Sequence, residues 1–306
     1  MSEGTTGGSA LAAFSDALAD AVALAGESVV RVDGRHRQPA SGIIWVSDGL
    51  IVTADHVIER DDDLTIGLAD GRTVKAKLIG RDPGSDLALL KADASGLPAI
   101  QRSTNARVGS IALLVARPGP ELMASLGTVS AVSGPIRTRR GRLEGLIATD
   151  ATFYPGFSGA LLISGGGGAL GLATSRFRGG RGSGVVIPMA TIERTVAALS
   201  AHGRVRSGFV GIGSQPVQLP TALREKAGLG DQETGLLVVT VEAGGPAEAA
   251  GVLLGDVLVA FGGDALRDPG ELRDLLGPER VGQATALRII RGGEPLDLTI
   301  TVGERE

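Results

Sequence analysis

Short apolar runs, separated by polar turn residues, fill the chain between about residues 29 and 186. The runs are rich in Val, Ile, Leu and Thr and are separated by Gly, Asp, Ser and Pro, a pattern that predicts β-strands joined by tight turns. The predicted strands include 42–46, 64–68, 74–79, 110–115 and 127–132. Ser47-Asp48-Gly49 and Ala69-Asp70-Gly71-Arg72 are typical of hairpin turns. This region is therefore predicted to be antiparallel and mainly β.

The N-terminal segment, residues 1–28, has a different pattern, in which apolar residues follow helical spacing. An amphipathic helix is predicted to begin near Ser15-Asp16-Ala17. Its apolar face would be formed by Ala13, Leu18, Val22 and Leu24. The segment lacks a basic start followed by an apolar core, so no export signal is predicted, and we expect no membrane span.

Helical spacing returns at 188–202, where Ile192, Val196 and Leu199 share one face. The stretch that follows, 203–207, is short and polar, as in a connector between domains. At 306 residues, two domains are the natural expectation. We therefore predict an N-terminal segment 1–28, a first domain 29–202, a linker 203–207 and a second domain 208–306.

Composition narrows the function classes. The 48 glycines among 306 residues suit a fold with many turns, and the 3% aromatic content means that the cores are built from aliphatic side chains. The net charge of −4 argues against a general nucleic-acid binder. The chain has no Cys, hence no disulfide and no thiolate chemistry. Asp61-Asp62-Asp63 lacks regular ligand spacing, so we predict no metal and no cofactor.

Three residues in chain order point to nucleophilic catalysis. Ser158 lies between glycines in a tight turn that follows the β-like run 145–151, where a serine nucleophile is usually presented. A serine hydroxyl needs a base and a group that orients the base. His56 follows the strand-like run 50–54, and Asp86 precedes a second apolar run. The order His, Asp, Ser is that of the chymotrypsin-type double barrel, and subtilisins and α/β-hydrolases have other orders.

The residues around these three positions resemble the motifs of the HtrA (Deg) family of trypsin-like serine proteases. The matching stretches are Thr53-Ala54-Asp55-His56-Val57, Asp86-Leu87-Ala88-Leu89-Leu90-Lys91 and Pro155-Gly156-Phe157-Ser158-Gly159-Ala160. The resemblance implies a chymotrypsin-like double β-barrel with Ser158 as nucleophile, His56 as base and Asp86 as its orienter. It assigns the oxyanion hole to the backbone N–H groups of Gly156 and Ser158.

Two positions depart from the family pattern. Phe157 replaces an Asn, and its backbone alone serves the oxyanion hole. Ala160 replaces a Gly, and an Ala would be strained there if the position needs a positive φ. Motif alignment also assigns a pocket for the side chain before the scissile bond. Its walls are predicted from Thr152, Phe153, Ala173, Thr174 and Ser175. Because none of these is acidic, the expected preference is for small aliphatic residues.

The second domain resembles a PDZ domain of the HtrA kind. Ala243 to Leu258 follows the PDZ pattern Pro-Ala-x-x-Ala-Gly-Leu-x-x-Gly-Asp. Phe209, Val210, Gly211 and Ile212 are expected to form the loop that binds a peptide carboxylate, and 268–276 the helix beside the groove. In that mode a peptide adds a strand to a sheet edge. The resemblance therefore implies an α+β PDZ domain that binds hydrophobic C-terminal peptides.

The expected function is a serine endopeptidase that cleaves unfolded or misfolded proteins in protein quality control, with regulation or binding through the PDZ domain. The alternative is a catalytically weak or inactive peptide-binding or chaperone scaffold with the same fold. The resemblance implies a homo-oligomer, expected to be a trimer. The sequence leaves open a cytoplasmic protein, as written, or an extracytoplasmic or periplasmic one whose export segment has been removed.

Overall fold

The chain divides into two compact units, Met1–Val205 and Arg206–Glu306. The computed structural model describes residues 6–36, 38–103, 106–138, 141–143, 145–177 and 184–304. The division between the units falls inside the predicted connector 203–207. The exact limits of the predicted segments stay predictions.

Two closed barrels of six antiparallel strands make up most of the first unit. The elements of the first barrel and the helix before it are α1 (Thr6–Gly26), β1 (Val29–Asp33), β2 (Ala40–Val46), β3 (Leu50–Ala54), β4 (Leu64–Gly67), β5 (Thr73–Asp82) and β6 (Leu87–Ala92). The elements that follow are β7 (Ile111–Ala116), β8 (Met123–Val132), β9 (Ile136–Thr138), β10 (Gly141–Leu143), β11 (Ile147–Thr149), β12 (Leu161–Ser164), β13 (Ala169–Thr174), β14 (Gly184–Pro188) and α2 (Met189–His202).

The strand order is β1-β2-β3-β6-β5-β4 in the first barrel and β11-β14-β13-β12-β7-β8 in the second. The short hairpin β9–β10 lies outside both. Neighbouring strands are antiparallel throughout the two barrels. The predicted double β-barrel is therefore confirmed.

Aliphatic side chains fill both barrels, as the low aromatic content predicts. In the first barrel the strands β2, β3 and β6 are buried on both faces. Ile43, Ile51 and Leu89, one from each strand, have no exposed surface. β5 instead alternates exposed with half-buried positions, which is typical of a strand with one face in water. In the second barrel, Leu114 and Phe157 are buried. Phe157 therefore belongs to the core beneath the predicted nucleophile.

Helix α1 differs from its prediction in two respects. It begins at Thr6, ahead of the expected start at Ser15. Leu18 and Val22 pack as predicted against the domain, on a core to which both barrels contribute, but Leu24 is 66% exposed. Ala13 is exposed as well. The prediction of one face shared by all four residues is wrong, because the helix contacts the barrel only along the narrower strip that also contains Ala21 and Ala25.

The exposed side of α1 is mostly apolar, with Ser15, Asp16 and Asp20 among the polar exceptions. By length and composition, Ser9–Gly26 is apolar enough to cross a membrane, which is weak evidence because a signal sequence has the same character. The expectation of no membrane span stays a prediction.

The second unit contains a twisted antiparallel sheet with helices against it. Its elements are β15 (Gly208–Phe209), β16 (Ile212–Gln218), α3 (Thr221–Ala227), β17 (Thr234–Val241), α4 (Pro246–Ala249), β18 (Val257–Phe261), β19 (Asp264–Ala265), α5 (Pro269–Leu275), β20 (Ala284–Arg291), β21 (Glu294–Thr301) and β22 (Gly303–Glu304). The main sheet has the order β16-β17-β18-β20-β21, with β19 paired to β18. Its core contains Leu236, Phe261 and Ile289. The predicted helix at 268–276 is α5, whose first turn is capped by the carboxylate of Asp268.

Strand β16 forms one edge of this sheet, and α5 packs beside it. Pro216 lies in the middle of β16, opposite Leu236. Proline has no N–H to donate, so it is tolerated in a sheet where that side of the strand has no partner. The position of Pro216 thus agrees with an edge strand.

Candidate active site

The first barrel places His56 and Asp86 side by side through the pairing of β3 with β6. Ala54 at the end of β3 lies opposite Leu87 at the start of β6. His56 follows Ala54 within a single 3-10 turn, and Asp86 immediately precedes Leu87. Two residues 30 positions apart in the chain therefore meet at one rim of the barrel because their strands are adjacent.

Asp86 is a wholly buried carboxylate with three donors. Its oxygens lie 2.8 and 3.0 Å from Nδ1 of His56, and the backbone N–H of His56 donates to Oδ1 at 3.0 Å. The hydroxyl of Thr174 donates to Oδ2. A buried carboxylate without such partners would be strongly destabilising. Asp86 also has a φ of +59°, a left-handed conformation that Asp tolerates better than most residues.

The hydrogen bond from Nδ1 to Asp86 determines what the other imidazole nitrogen can do. With its Nδ1 proton held by the carboxylate, neutral His56 presents the lone pair of Nε2. The Oγ of Ser158 lies 3.0 Å from Nε2. The sequence-predicted residues Asp86, His56 and Ser158 thus form one continuous chain of hydrogen bonds across the two barrels.

Ser158 lies in the loop 150–160 between β11 and β12, which we call the nucleophile loop. Gly156 and Gly159 both have a φ of +87°, so both need the freedom of glycine. A Cβ on Gly159 would also lie 1.9 Å from the carbonyl oxygen of Ser41. Ala160 has no positive φ, so the conditional strain raised by its replacement of glycine does not arise.

The predicted oxyanion donors, the backbone N–H groups of Gly156 and Ser158, lie in this loop. Within the described part of the chain, neither donates to another residue. The neighbouring N–H groups are occupied: Phe157 donates to the carbonyl of Tyr154 and Gly159 to that of Ala173. The loop therefore keeps two N–H groups available next to the serine hydroxyl.

The five residues predicted to line the substrate pocket have different positions. Ala173 is buried behind the nucleophile loop, and the hydroxyl of Thr174 is turned toward Asp86. Thr152 is held by its backbone N–H, which donates to Oγ of Ser125, and Phe153 packs partly buried against the core of the second barrel. Their role as pocket walls stays a prediction.

The fifth pocket residue, Ser175, is a second hydroxyl beside the candidate reacting atoms. Its Oγ lies 3.1 Å from Oγ of Ser158 and 3.2 Å from Nε2 of His56. The sequence analysis assigned it only to a pocket wall. It likewise missed Thr174 as a partner of Asp86, and Arg176, whose guanidinium lies 3.9 Å from Oδ1 of Asp86. Thr174 ends β13, and Ser175 and Arg176 follow it directly. Their proximity to the site comes from the way the strands pair, and a motif search does not detect strand pairing.

The second unit brings its predicted binding residues together at the edge of the sheet. Val210 and Ile212 line an apolar pocket with Leu272 of α5. The carbonyls of Val210 and Gly211 accept hydrogen bonds from the N–H groups of Ala247 and Glu242. Gly211 has a φ of +75°, which glycine adopts at no steric cost.

These carbonyl contacts orient the N–H groups of the same loop. In a trans peptide the N–H points away from the preceding C=O. The N–H of Gly211 therefore points away from Ala247, and the N–H of Ile212 points away from Glu242. Successive N–H groups around a left-handed residue form a concave site for an anion. Phe209, the fourth predicted residue, pairs with Gly303 in the short β15–β22 ladder.

No group of three or more His, Asp or Glu side chains that could hold a metal ion occurs among the described residues. The expectation of no cofactor stays a prediction.

Comparison with known proteins gives two family matches. Residues 40–172 match the trypsin-like peptidase domain family, and residues 210–302 match the PDZ domain family. The first match contains the three residues of the hydrogen-bond chain. The second contains the apolar pocket and three of the four predicted loop residues.

Individual relatives cover both units. The chain is 32% identical over 268 residues to a probable periplasmic serine endoprotease, DegP-like, of Chlamydia trachomatis; the match covers 86% of this chain and 53% of the relative. The chain thus spans about half the length of the curated relatives it matches. A solved structure of the HtrA-type protease AlgW with a tripeptide is 30% identical, with a TM-score of 0.74, and covers 94% of this chain and 97% of its own. The same protease with a decapeptide has a TM-score of 0.77 at 29% identity, over 94% and 99% of the two chains.

Proposed function

The chain belongs to the HtrA family of serine proteases, and from this we propose that it is a serine endopeptidase that cleaves unfolded or misfolded polypeptides. The observation that carries the proposal is the hydrogen-bond chain from Asp86 through His56 to Ser158, with 3.0 Å between Nε2 and Oγ. This is the distance at which an imidazole takes the proton of a hydroxyl during attack.

The proposed mechanism uses the same groups in both half-reactions. Oγ of Ser158 attacks the substrate carbonyl while Nε2 of His56 takes its proton. The oxyanion is stabilised by the N–H groups of Gly156 and Ser158. The imidazolium, stabilised by Asp86, then gives its proton to the leaving amine. Water hydrolyses the resulting ester by the same steps, and Ser158 recovers its proton.

Labelling with a fluorophosphonate tests the proposal directly, because this reagent phosphonylates only a serine that a base activates. The folded chain should be labelled at Ser158 and should degrade casein. The matched control for substitution of Ser158 is Thr191→Ala. It removes another buried hydroxyl, one that has no partner within the described structure. A folded chain without labelling would favour the alternative function, an inactive peptide-binding scaffold.

We propose that the second unit binds peptides that end in a free carboxylate. The carboxylate would be held by the N–H groups of Gly211 and Ile212, and the last side chain would enter the apolar pocket next to Leu272. The peptide would then pair with the open edge of β16. Alternation along β16 directs the N–H groups of Ile212 and Ser214 toward the open edge, and Pro216, the next in that row, has no N–H to donate. The ladder with the peptide is therefore short, and only the last few peptide residues contribute to binding.

Binding of two matched peptides distinguishes recognition of the C-terminal carboxylate from nonspecific hydrophobic binding. One ends in a free aliphatic residue, and its control has the same sequence with an amidated C-terminus. The free acid should bind the full chain at least about tenfold more tightly, since the amide lacks the charge that the N–H groups bind. If the bound peptide also raises casein turnover, the unit regulates catalysis; unchanged turnover would mean that it only tethers substrate.

We extend the proposal to a homo-oligomer, expected to be a trimer. The mostly apolar exposed side of α1 supports this, with Leu11 and Leu24 each about two-thirds exposed and Phe14 about half exposed. Light scattering should give about three times the chain mass of 30.9 kDa. A mass equal to one chain, in the presence and absence of detergent, would contradict it.

A further inference from the structure

A buried serine of the first barrel, Ser41, contacts the nucleophile loop at two points. Ser41 is the second residue of β2, ahead of the apolar run that starts at Ile43, and has no exposed surface. Its hydroxyl donates to the carbonyl of Gly156 and its backbone N–H donates to the carbonyl of Ser158, each at 3.0 Å. Its own carbonyl lies against the Cα of Gly159 so closely that a side chain could not fit there.

Each of these two bonds completes the fixation of one peptide plane. The plane between Gly156 and Phe157 is held at its carbonyl by Ser41 and at its N–H by the carbonyl of Tyr154. The plane between Ser158 and Gly159 is held at its carbonyl by Ser41 and at its N–H by the carbonyl of Ala173. A peptide plane that is bonded at both ends cannot rotate without breaking a hydrogen bond.

The proposed oxyanion donors lie directly beside these two planes. The N–H of Ser158 belongs to the plane between Phe157 and Ser158, which is enclosed by the two fixed planes. The N–H of Gly156 belongs to the plane just before the first fixed one. Gly156 has no Cβ to restrict it, so its own conformational preference does not orient the loop. The orientation of both donors therefore depends on the bonds made by Ser41.

Ser41 is itself held from both barrels. Its hydroxyl accepts from the backbone N–H of Arg117 at the end of the second-barrel strand β7, and its carbonyl accepts from Oγ1 of Thr53 in β3, three residues before His56. Thus all four polar groups of Ser41, namely N–H, C=O and the donor and acceptor functions of the hydroxyl, are used. Such complete pairing is what a buried polar residue needs to hold one geometry.

We propose that Ser41 is a positioning residue for the oxyanion hole: its hydroxyl keeps the Gly156 carbonyl turned away from the reaction site, so that the N–H groups of Gly156 and Ser158 face the developing oxyanion. The proposal rests on the proposed peptidase function. Ser41 touches no reacting atom and makes no hydrogen bond to His56 or Asp86.

The test is Ser41→Ala in the full chain, measured per active site by titration with a fluorophosphonate. The variant should lose roughly 10- to 100-fold in kcat with little change in KM, because donors that stabilise the oxyanion act only in the transition state. The affinity for a peptide boronate, which occupies the oxyanion hole, should fall by a similar factor. The pH at which kcat/KM reaches half its maximum should not move, since the base is unaltered.

Thr53→Val is the matched control. It removes the other side-chain bond at Ser41 and leaves a buried carbonyl unpaired, so its cost in stability should be similar, but it leaves the Gly156 carbonyl bonded. Its kcat per titrated site should stay within about threefold of the parent. If both variants lose kcat equally, or if Ser41→Ala loses only titratable sites, Ser41 has a purely structural role and the proposal is overturned.

Ser41→Cys serves if Ser41→Ala does not fold. It keeps most of the volume and replaces the hydroxyl with a weak donor, so kcat should fall while KM is retained. A Cys variant with the parent's kcat would overturn the proposal. Failure of the peptidase function is a distinct result, because the parent chain would then show no labelling and no turnover.

Discussion

The two barrels contribute to the candidate site by different physical means. The first barrel supplies His56 and Asp86, which side-chain hydrogen bonds hold in place. The second supplies Ser158 from a loop whose geometry depends on two glycines with positive φ and on bonds to backbone carbonyls. Residue identity therefore specifies the acid–base half of the site, and backbone conformation specifies the nucleophile half. This difference teaches that a motif search finds the reacting residues of both halves, but not the partners that fix their geometry, such as Thr174 and Ser41.

The largest expected effect tests whether the two halves act as one unit. His56→Ala removes the first barrel's contribution and Ser158→Ala the second's, and each should lower casein turnover by several orders of magnitude, because a base without its nucleophile, or the reverse, does no chemistry. The double variant should be no worse than either single one. Thermal midpoints should stay within a few degrees. Multiplicative losses in the double variant would mean that the halves act independently.

A smaller effect is expected from Thr174→Val, which removes a second-barrel hydroxyl from a first-barrel carboxylate. Asp86 would keep its bonds to His56 but lose a donor in a fully buried place. A hydrogen bond to a charged group is worth about 1.5–3 kcal/mol, so kcat/KM should fall by roughly 10- to 150-fold.

Thr191→Val provides the control for this substitution. The hydroxyl of Thr191 is buried and has no partner within the described structure, so its removal should leave kcat/KM unchanged. An equal loss in both variants would show that packing, and not the bond to Asp86, is responsible.

Ser175→Ala should change turnover by at most a few-fold, and upward. Nε2 of His56 has one lone pair, so the hydroxyls of Ser175 and Ser158, at 3.2 and 3.0 Å, compete for it. Removing Ser175 leaves Ser158 as the sole donor. Steady-state kinetics on a peptide substrate would measure the change. A loss of more than about tenfold would instead make Ser175 part of the proton-transfer machinery.

The smallest expected effect concerns Asp256 of the second unit, which lies outside both barrels. It provides a comparison for Asp86 because both are buried carboxylates held by several donors, but Asp256 is not part of the hydrogen-bond chain of Asp86, His56 and Ser158. Burial alone would raise the pKa of Asp256, and the hydrogen bonds from Arg291 and from the N–H of Leu253 outweigh it and hold the pKa below its usual range. Its contribution to stability is therefore present above pH of about 4 and is lost as the pH falls further.

Calorimetry of the full chain between pH 5 and 3 measures this contribution. In the parent, the transition of the PDZ unit should move to lower temperature over that interval by more than in Asp256→Asn, which carries no titrating group at this position. Casein turnover at neutral pH should be the same per folded molecule. An identical pH dependence in the two proteins would mean that the Arg291 pair does not stabilise the unit.

The parts of the structure that were predictable from the sequence follow from local chemistry. Short apolar runs between turn residues predict the strands. The order of His56, Asp86 and Ser158 favours the double barrel, and the resemblance of the surrounding motifs implies it. The start of α1 and its exposed Leu24 were not predictable, because the width of the buried strip depends on the barrel surface beneath it. Ser41 and Thr174 escaped detection for a related reason: a Ser or Thr inside an apolar strand acquires a role only through partners on distant strands.

Pro216 has a consequence for the behaviour of the chain in concentrated solution. An open sheet edge such as that of β16 is a template on which two copies of a protein can join their sheets, and from such pairs aggregates grow. A proline in the middle of the edge removes one donor from the outward row, so a long foreign strand finds an interrupted ladder, whereas a short peptide end still fits ahead of the gap. The same residue that keeps the binding edge short thus protects it from self-association.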